Sequence, residues 1–231
     1  MLFYFVFEVK VLNAENIHPA DIEKKSMEII EGELADNDTA HLSDSEKLVV
    51  KRVIHTTADF DYLNNLKFSY MAVDKGIAAL KSGAVIITDT HMAEAGISKP
   101  AVKKLECELY CFMSDTDVAE TARRNGVTRA VASMEKAADM FADKNMIFAI
   151  GNAPTALIRL HELINERRIK PSLVIGAPVG FVNIIQSKNL IMQDDIPFIV
   201  ADGRKGGSNV AAAICNAMLY QIYDRENGLI K

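Results

Sequence analysis

After about residue 70 the chain alternates short apolar runs with longer stretches whose apolar positions recur three and four residues apart. The runs Ala84–Thr88, Glu106–Phe112, Met146–Ile150, Leu173–Gly176 and Phe198–Ala201 are the candidate strands. Each is short and apolar on both faces, as a parallel strand covered by helices should be. Between and after them Asp117–Asn125, Ala130–Asp143, Thr155–Arg168, Val182–Met192 and Asn209–Tyr223 carry helical spacing. The alternation predicts a three-layer α/β fold, a doubly wound and mostly parallel five-stranded sheet with right-handed crossovers. Nothing reads as a flexible linker, so residues 1–231 are taken as one domain.

The first 70 residues form an N-terminal helical segment instead. His18-Pro19-Ala20-Asp21-Ile22 opens one helix, with Pro19 suited to its first turn, running through Ser26 to Glu31. Ser43-Asp44-Ser45-Glu46 has capping-box spacing and starts a second helix through Val49, Val50 and Val53. That helix ends near His55, which places Arg52 and His55 on one face. The apolar start, Met1 to Phe7, is closed by Glu8 and Lys10 and has no basic residue before it, so it is not read as a signal peptide. A short strand, an interface arm and residues outside the domain all remain open for it.

Composition narrows the function. Apolar residues make up 49% and charged residues 25% of the 231, the balance of a globular protein with a substantial core. No apolar run approaches the roughly 18 residues of a membrane span, so a cytoplasmic protein with no membrane partner is expected. The net charge of −5 argues against nucleic acid. It leaves room for an anionic small molecule, because a pocket can be basic on an acidic protein. Of the three cysteines, Cys107 and Cys111 share a strand face, but no second pair completes a metal site. They are read as buried free thiols, with no metal.

In open parallel sheets ligands bind beyond the carboxyl ends of the strands. The turns there are Thr88-Asp89-Thr90, Met113-Ser114-Asp115, Gly151-Asn152-Ala153-Pro154-Thr155, Gly176-Ala177-Pro178-Val179-Gly180 and Ala201 to Ser208. Glycine lets a ligand approach the backbone, and helix starts offer N–H groups to anions. Any one glycine turn is also what an α/β fold needs for itself; the shared edge is what makes the set informative. Neither GxxxxGK[ST] nor a GxGxxG after the first strand is present, which disfavours a nucleotide site. A GxSxG nucleophile elbow is also missing. His18, His41 and His161 read as structural or exposed, whereas His91 follows the first strand and is placed to line the crevice.

Four longer motifs occur in order: Arg52-Val53-Ile54-His55-Thr56-Thr57-Ala58-Asp59-Phe60, Ile150-Gly151-Asn152-Ala153-Pro154-Thr155-Ala156-Leu157, Val174-Ile175-Gly176-Ala177-Pro178-Val179-Gly180-Phe181 and Gly203-Arg204-Lys205-Gly206-Gly207-Ser208. Together they resemble the precorrin-8X methylmutase family of cobalamin biosynthesis, from about Ile17 to about Met218, leaving residues 1–15 unmatched. The resemblance implies an isomerase that moves a methyl group from C-11 to C-12 of a reduced tetrapyrrole, precorrin-8X or cobalt-precorrin-8. It implies a homodimer with active sites near the subunit interface, and no cofactor. It makes His55 the catalytic residue and Ser26, Arg52, Arg129, Thr88 and Asp89 substrate contacts; Asn152 and Gly206 join them from the glycine turns.

The implied chemistry suits these residue types. A sigmatropic methyl shift needs no nucleophile, hydride carrier or metal, only an acid that makes the macrocycle electron-poor. Histidine donates and recovers a proton near neutral pH. Asp59 and Asp61 are close enough in sequence to be expected beside it as counter-charges. Arg52, Arg129, Arg204 and Lys205 are the candidate cations for substrate carboxylates, and Arg123, Arg124, Arg167 and Arg168 are read as solvated. Two rivals stand beside the isomerase. One is a non-catalytic tetrapyrrole binder. The other is a Rossmann-like methyltransferase, which would want glycines where the first strand gives Thr88-Asp89-Thr90 and an acidic residue closer to the second strand than Asp115.

Overall fold

The computed structural model describes His18, residues 21–35, Asn37 and residues 39–226; Pro19 and the apolar start lie outside these. In chain order the elements begin with α1 (Ile22–Ala35), α2 (Asp44–Thr57), α3 (Tyr62–Asn65), β1 (Leu66–Phe68), α4 (Ala72–Lys81) and β2 (Val85–Thr88). Then come α5 (His91–Gly96), α6 (Lys99–Lys104), β3 (Glu108–Tyr110), α7 (Thr116–Asn125), α8 (Arg129–Phe141) and β4 (Met146–Ile150). The chain closes with α9 (Pro154–Asn165), β5 (Leu173–Gly176), α10 (Ile184–Gln193), β6 (Phe198–Ala201) and α11 (Ser208–Glu226).

Alternate residues of the central strands enter different cores, because successive side chains point to opposite faces. Ile86, Ile147, Ala149, Ile175 and Ile199 pack into the layer with α2, α4 and α11. Val85, Ile87, Met146, Phe148, Ile150 and Val174 pack into the layer with α8 and α9. Helix α11 is buried at Val210 to Cys215 and again at Ala217 to Leu219, around its whole circumference, which makes it the centre of its layer. Three layers result, as the alternation of apolar runs requires.

The sheet has six strands rather than the five expected, in the order β1-β6-β5-β4-β2-β3. Five are parallel, and β1 pairs antiparallel to β6 with Leu66 opposite Ala201. Leu66-Lys67-Phe68 escapes detection because it is three residues long and exposes Lys67 on the sheet's outer edge. The expected strand at Glu106–Phe112 contracts to Glu108–Tyr110, since Glu106 turns in the left-handed region at φ 53°.

Helix α2 carries the Arg52 and His55 pair, and its start is built as the sequence predicts. The Ser43 side chain accepts from the Glu46 N–H, and the Glu46 carboxylate accepts from the Ser43 N–H at 2.8 Å. Val49, Val50, Val53 and Ile54 are at most 1% exposed and fix the rotation of the helix. Ser43→Ala is expected to lower stability by about 1 kcal/mol, read as an earlier urea midpoint; an unmoved midpoint would remove the capping box from the anchoring of α2.

Candidate active site

The strand order reverses direction between β2 and β4, because β2 leads outward to β3 whereas β4 leads the other way to β5. This switch point is where an open sheet ordinarily receives a ligand. Here it is closed from within. Asp89, which is fully buried, accepts the N–H of Gly151 at 2.8 Å on one oxygen and those of Asn152 and Ala153 at 2.8 and 2.6 Å on the other. Burial pushes its carboxyl above the usual range, and the three N–H donors pull the other way. The anion position offered by the Gly151 turn therefore already holds the protein's own carboxylate. Thr88 is equally buried, and its hydroxyl donates to the Thr90 carbonyl at 3.1 Å. Both residues, expected as substrate contacts, are engaged within the protein and hold the edge from beneath.

Neighbouring turns are laced to this seam. Thr90 and Ser208 hydroxyls lie 2.7 Å apart, and Gly207 N–H donates to the Ala177 carbonyl at 2.8 Å. Gly206 is required by packing: a Cβ there would stand 2.2 Å from the Ala177 oxygen. It serves the approach of two turns to each other.

His55 lies in the last turn of α2, half-buried. Among the described residues its ring makes no hydrogen bond or ion pair. The helix ends as Ala58 turns left-handed at φ 53° and donates to the Ile54 carbonyl at 2.7 Å. Asp59 and Asp61, expected as counter-charges to the imidazole, make no ion pair with it and are engaged by another residue. Both carboxylates accept from the Lys205 ammonium at 2.6 Å. Lys205 holds the Asp59 carboxyl below its usual range, and the two aspartates raise the Lys205 ammonium. Lys205, a candidate cation for substrate, is thus already paired with two carboxylates of the chain itself. The cause is β1: by pairing with β6 it brings residues 59–61 against the turn that follows β6, where the Asp202 N–H donates to the Asn65 carbonyl at 2.7 Å.

The same turn is held from the interior by Lys188, which the sequence reading missed. Its side chain is fully buried on α10, and its ammonium donates to the carbonyls of Gly203 and Lys205, both at 2.9 Å. Burial pulls it down to about 8. A signal was present, for Lys188 shares a stripe with the buried Ile184 and Ile191.

The other expected residues are dispersed. Arg52 pairs with Glu23 at 2.7 Å and stacks on Tyr220 at 5.0 Å, beside a cavity of about 260 Å³ lined in part by Met27 and Lys51. Ser26, on α1, donates to the Ile22 carbonyl at 2.9 Å. Arg129 begins α8 and Asn152 lies on the turn after β4; both are exposed, and among the described residues Arg129 has no carboxylate partner. His91 engages Glu94 at 2.8 Å and Ser114 at 2.7 Å, joining α5 to the turn after β3. Its donor atoms, with those of Glu94 and Cys111, lie within 4.8 Å of one another, a grouping that cysteine spacing does not reveal. Cys107 and Cys215 are buried and Cys111 is partly so. A separate cavity of about 800 Å³ opens at the opposite edge, where Asn145, Ser172 and Pro197 precede β4, β5 and β6.

Fold and geometry together define a doubly wound α/β protein with its polar turns on one edge and an unengaged imidazole tied to them. The chain belongs to the precorrin-8X methylmutase family, whose model matches residues 21–221, and it is an isomerase of that kind. It is 44% identical over 205 residues to the cobalt-precorrin-8 methylmutase of Leptospira interrogans, covering 86% of this chain and 92% of that one. It is 42% identical to the cobalt-precorrin-8 methylmutase of Salmonella typhimurium, with 88% and 96% covered. The crystal structure of precorrin-8X methylmutase from Thermus thermophilus superposes with a TM-score of 0.80 at 35% identity, over 89% of this chain and 98% of that one.

Lys188 gives this edge a pH signature. Between about pH 8 and the ordinary lysine value of 10.5 the unfolded chain binds a proton that the folded chain has lost, so this site's contribution to stability rises with pH. Compared with Lys188→Met, the wild-type urea midpoint is expected to climb across that window; a constant difference between the two would show that Lys188 does not titrate this way.

Proposed function

We propose that this chain, acting as a single methylmutase domain, moves the methyl group from C-11 to C-12 of precorrin-8X or cobalt-precorrin-8, with His55 donating and recovering the proton. The observation that carries the assignment is the half-buried, unengaged ring of His55 at the end of a capped helix, fastened to the glycine turns through Lys205. An imidazole in that state keeps both nitrogens for a ligand. Protonating the conjugated macrocycle draws electrons from the migration terminus, and returning the proton after the shift restores the catalyst. General acid catalysis supplies roughly two to four orders of magnitude in rate. Orientation of the rigid substrate supplies much of the remainder.

Arg129 and Arg204 are the substrate cations best supported, since neither faces a protein carboxylate among the described residues. Arg52 joins them if a ligand carboxylate takes the place of Glu23. Ser26 on α1 and Asn152 above the Asp89 seam supply polar contacts at the rim, and Gly206 lets the turns close beneath it. The family resemblance adds a homodimer with active sites near the subunit interface, a cytoplasmic setting and no protein-bound cofactor.

His55→Ala is expected to bind the precorrin and leave its absorption spectrum unchanged, where the wild type converts the chromophore to that of the corrin. Near-normal turnover would exclude His55 as the acid, and a wild type that binds without converting would make the chain a tetrapyrrole carrier. Lys205→Met is expected to reduce kcat by about tenfold through misplacement of His55, with KM little changed. Recovery in Lys205→Arg would support a positioning role, and a rise in KM alone would oppose it.

A further inference from the structure

The turn between β5 and α10 exposes apolar side chains that no part of the fold requires. Phe181 is 83% exposed and Val182 76%, with Val179 beside them at 48%. Below these residues the backbone is fastened. The Ala177 N–H donates to the Ile150 carbonyl at 2.8 Å, Gly207 donates to Ala177, and Gly180 donates to the Arg204 carbonyl at 3.3 Å. Apolar side chains on so firmly held a turn pay a steady solvation penalty and mark a contact surface.

Arg204 completes this surface. Its guanidinium lies over the Phe181 ring, 5.5 Å from the centroid. Among the described residues it faces no carboxylate, although its sequence neighbour Lys205 holds two. A guanidinium stacked by one face keeps its edge N–H groups for a bidentate carboxylate. The position is equally specific. Both turns follow the carboxyl ends of β5 and β6, and Lys205 ties the second of them to the residues just after His55. Asp89 occupies the anion position of the Gly151 turn between β2 and β4, whereas the turns after β5 and β6 leave the Arg204 guanidinium without a carboxylate among the described residues.

We infer that Phe181, Val182 and Arg204 form a substrate platform, the apolar side chains lying against the face of the tetrapyrrole while Arg204 clasps one of its peripheral carboxylates. The platform rests on the substrate assigned above and names a part of its site. Its chemistry matches a flat, apolar-faced molecule fringed with anions. A nucleotide is a poorer match, since neither turn has a phosphate-loop pattern.

The test is a titration of the full-length protein with the corrin product hydrogenobyrinate, followed by its absorption. Phe181→Ala and Arg204→Ala are each expected to raise Kd by about tenfold or more, with Arg167→Ala, which lies beyond α9, as an unaffected control. The double variant should lose less than the product of the two factors, because ring and guanidinium act together. Against a fully esterified corrin, Arg204→Ala should lose its effect while Phe181→Ala keeps it. Unchanged Kd in both single variants would overturn the platform. So would a Phe181→Ala protein that binds normally and changes only its sedimenting mass, which would make the turn an interface between copies of the chain. Failure of the substrate assignment looks different, for then the wild type itself neither binds the corrin nor converts precorrin-8X.

Discussion

A carboxylate taken wholly out of water between β2 and β4 must find partners, and Asp89 finds them in three consecutive backbone N–H groups at the head of α9. An unpaired carboxylate at that depth would be severely destabilising, so the turn after β4 is bound to the turn after β2 as firmly as two strands are bound in the sheet. Everything above the seam inherits this. The place where many doubly wound proteins hold an anionic ligand is filled by the protein, and the remaining polar turns are the ones left to meet a ligand.

Two lysines carry that organisation outward in different ways. Lys188 keeps the backbone of residues 203–205 in place from inside the domain, with carbonyl oxygens as its acceptors. Lys205 projects from the same turn and gathers Asp59 and Asp61. A buried cation thus fixes a turn whose exposed cation fixes the end of α2. His55 receives its place from this chain of contacts and not from a counter-ion of its own. That leaves the ring available to a reactant, the condition that the proposed proton exchange requires.

Much of this is legible in the sequence alone. The central strands are buried on both faces and announce themselves as apolar runs, and the capping box at Ser43 locates the start of α2 to the residue. Strand β1 was not legible, because a three-residue edge strand with an exposed lysine has no periodicity to detect. The partners of Asp59 and Asp61 could not be read either. Proximity in sequence suggested His55, whereas the antiparallel return of β1 delivered Lys205 from 144 residues away. Asp89 stands in a turn after a strand and, by the family resemblance, among the expected substrate contacts, but its partners in the Gly151 turn depend on strand order, which composition does not encode. Lys188 could have been suspected from its place on an apolar helical stripe.

The pairing of Leu66 with Ala201 also sets a timetable. The helix that carries His55 lies near the start of the chain, yet the strand that anchors its exit is the last one made. Contacts so distant in sequence close late, after the loop entropy between them has been overcome. A nascent chain can therefore form α2 and the first parallel strands before the residues after α2 meet Lys205, which waits for β6 to join the sheet. Helix α11, which packs against α2, follows β6 in the chain, so the segment that carries His55 gains its full packing only once residues 208–226 have been made.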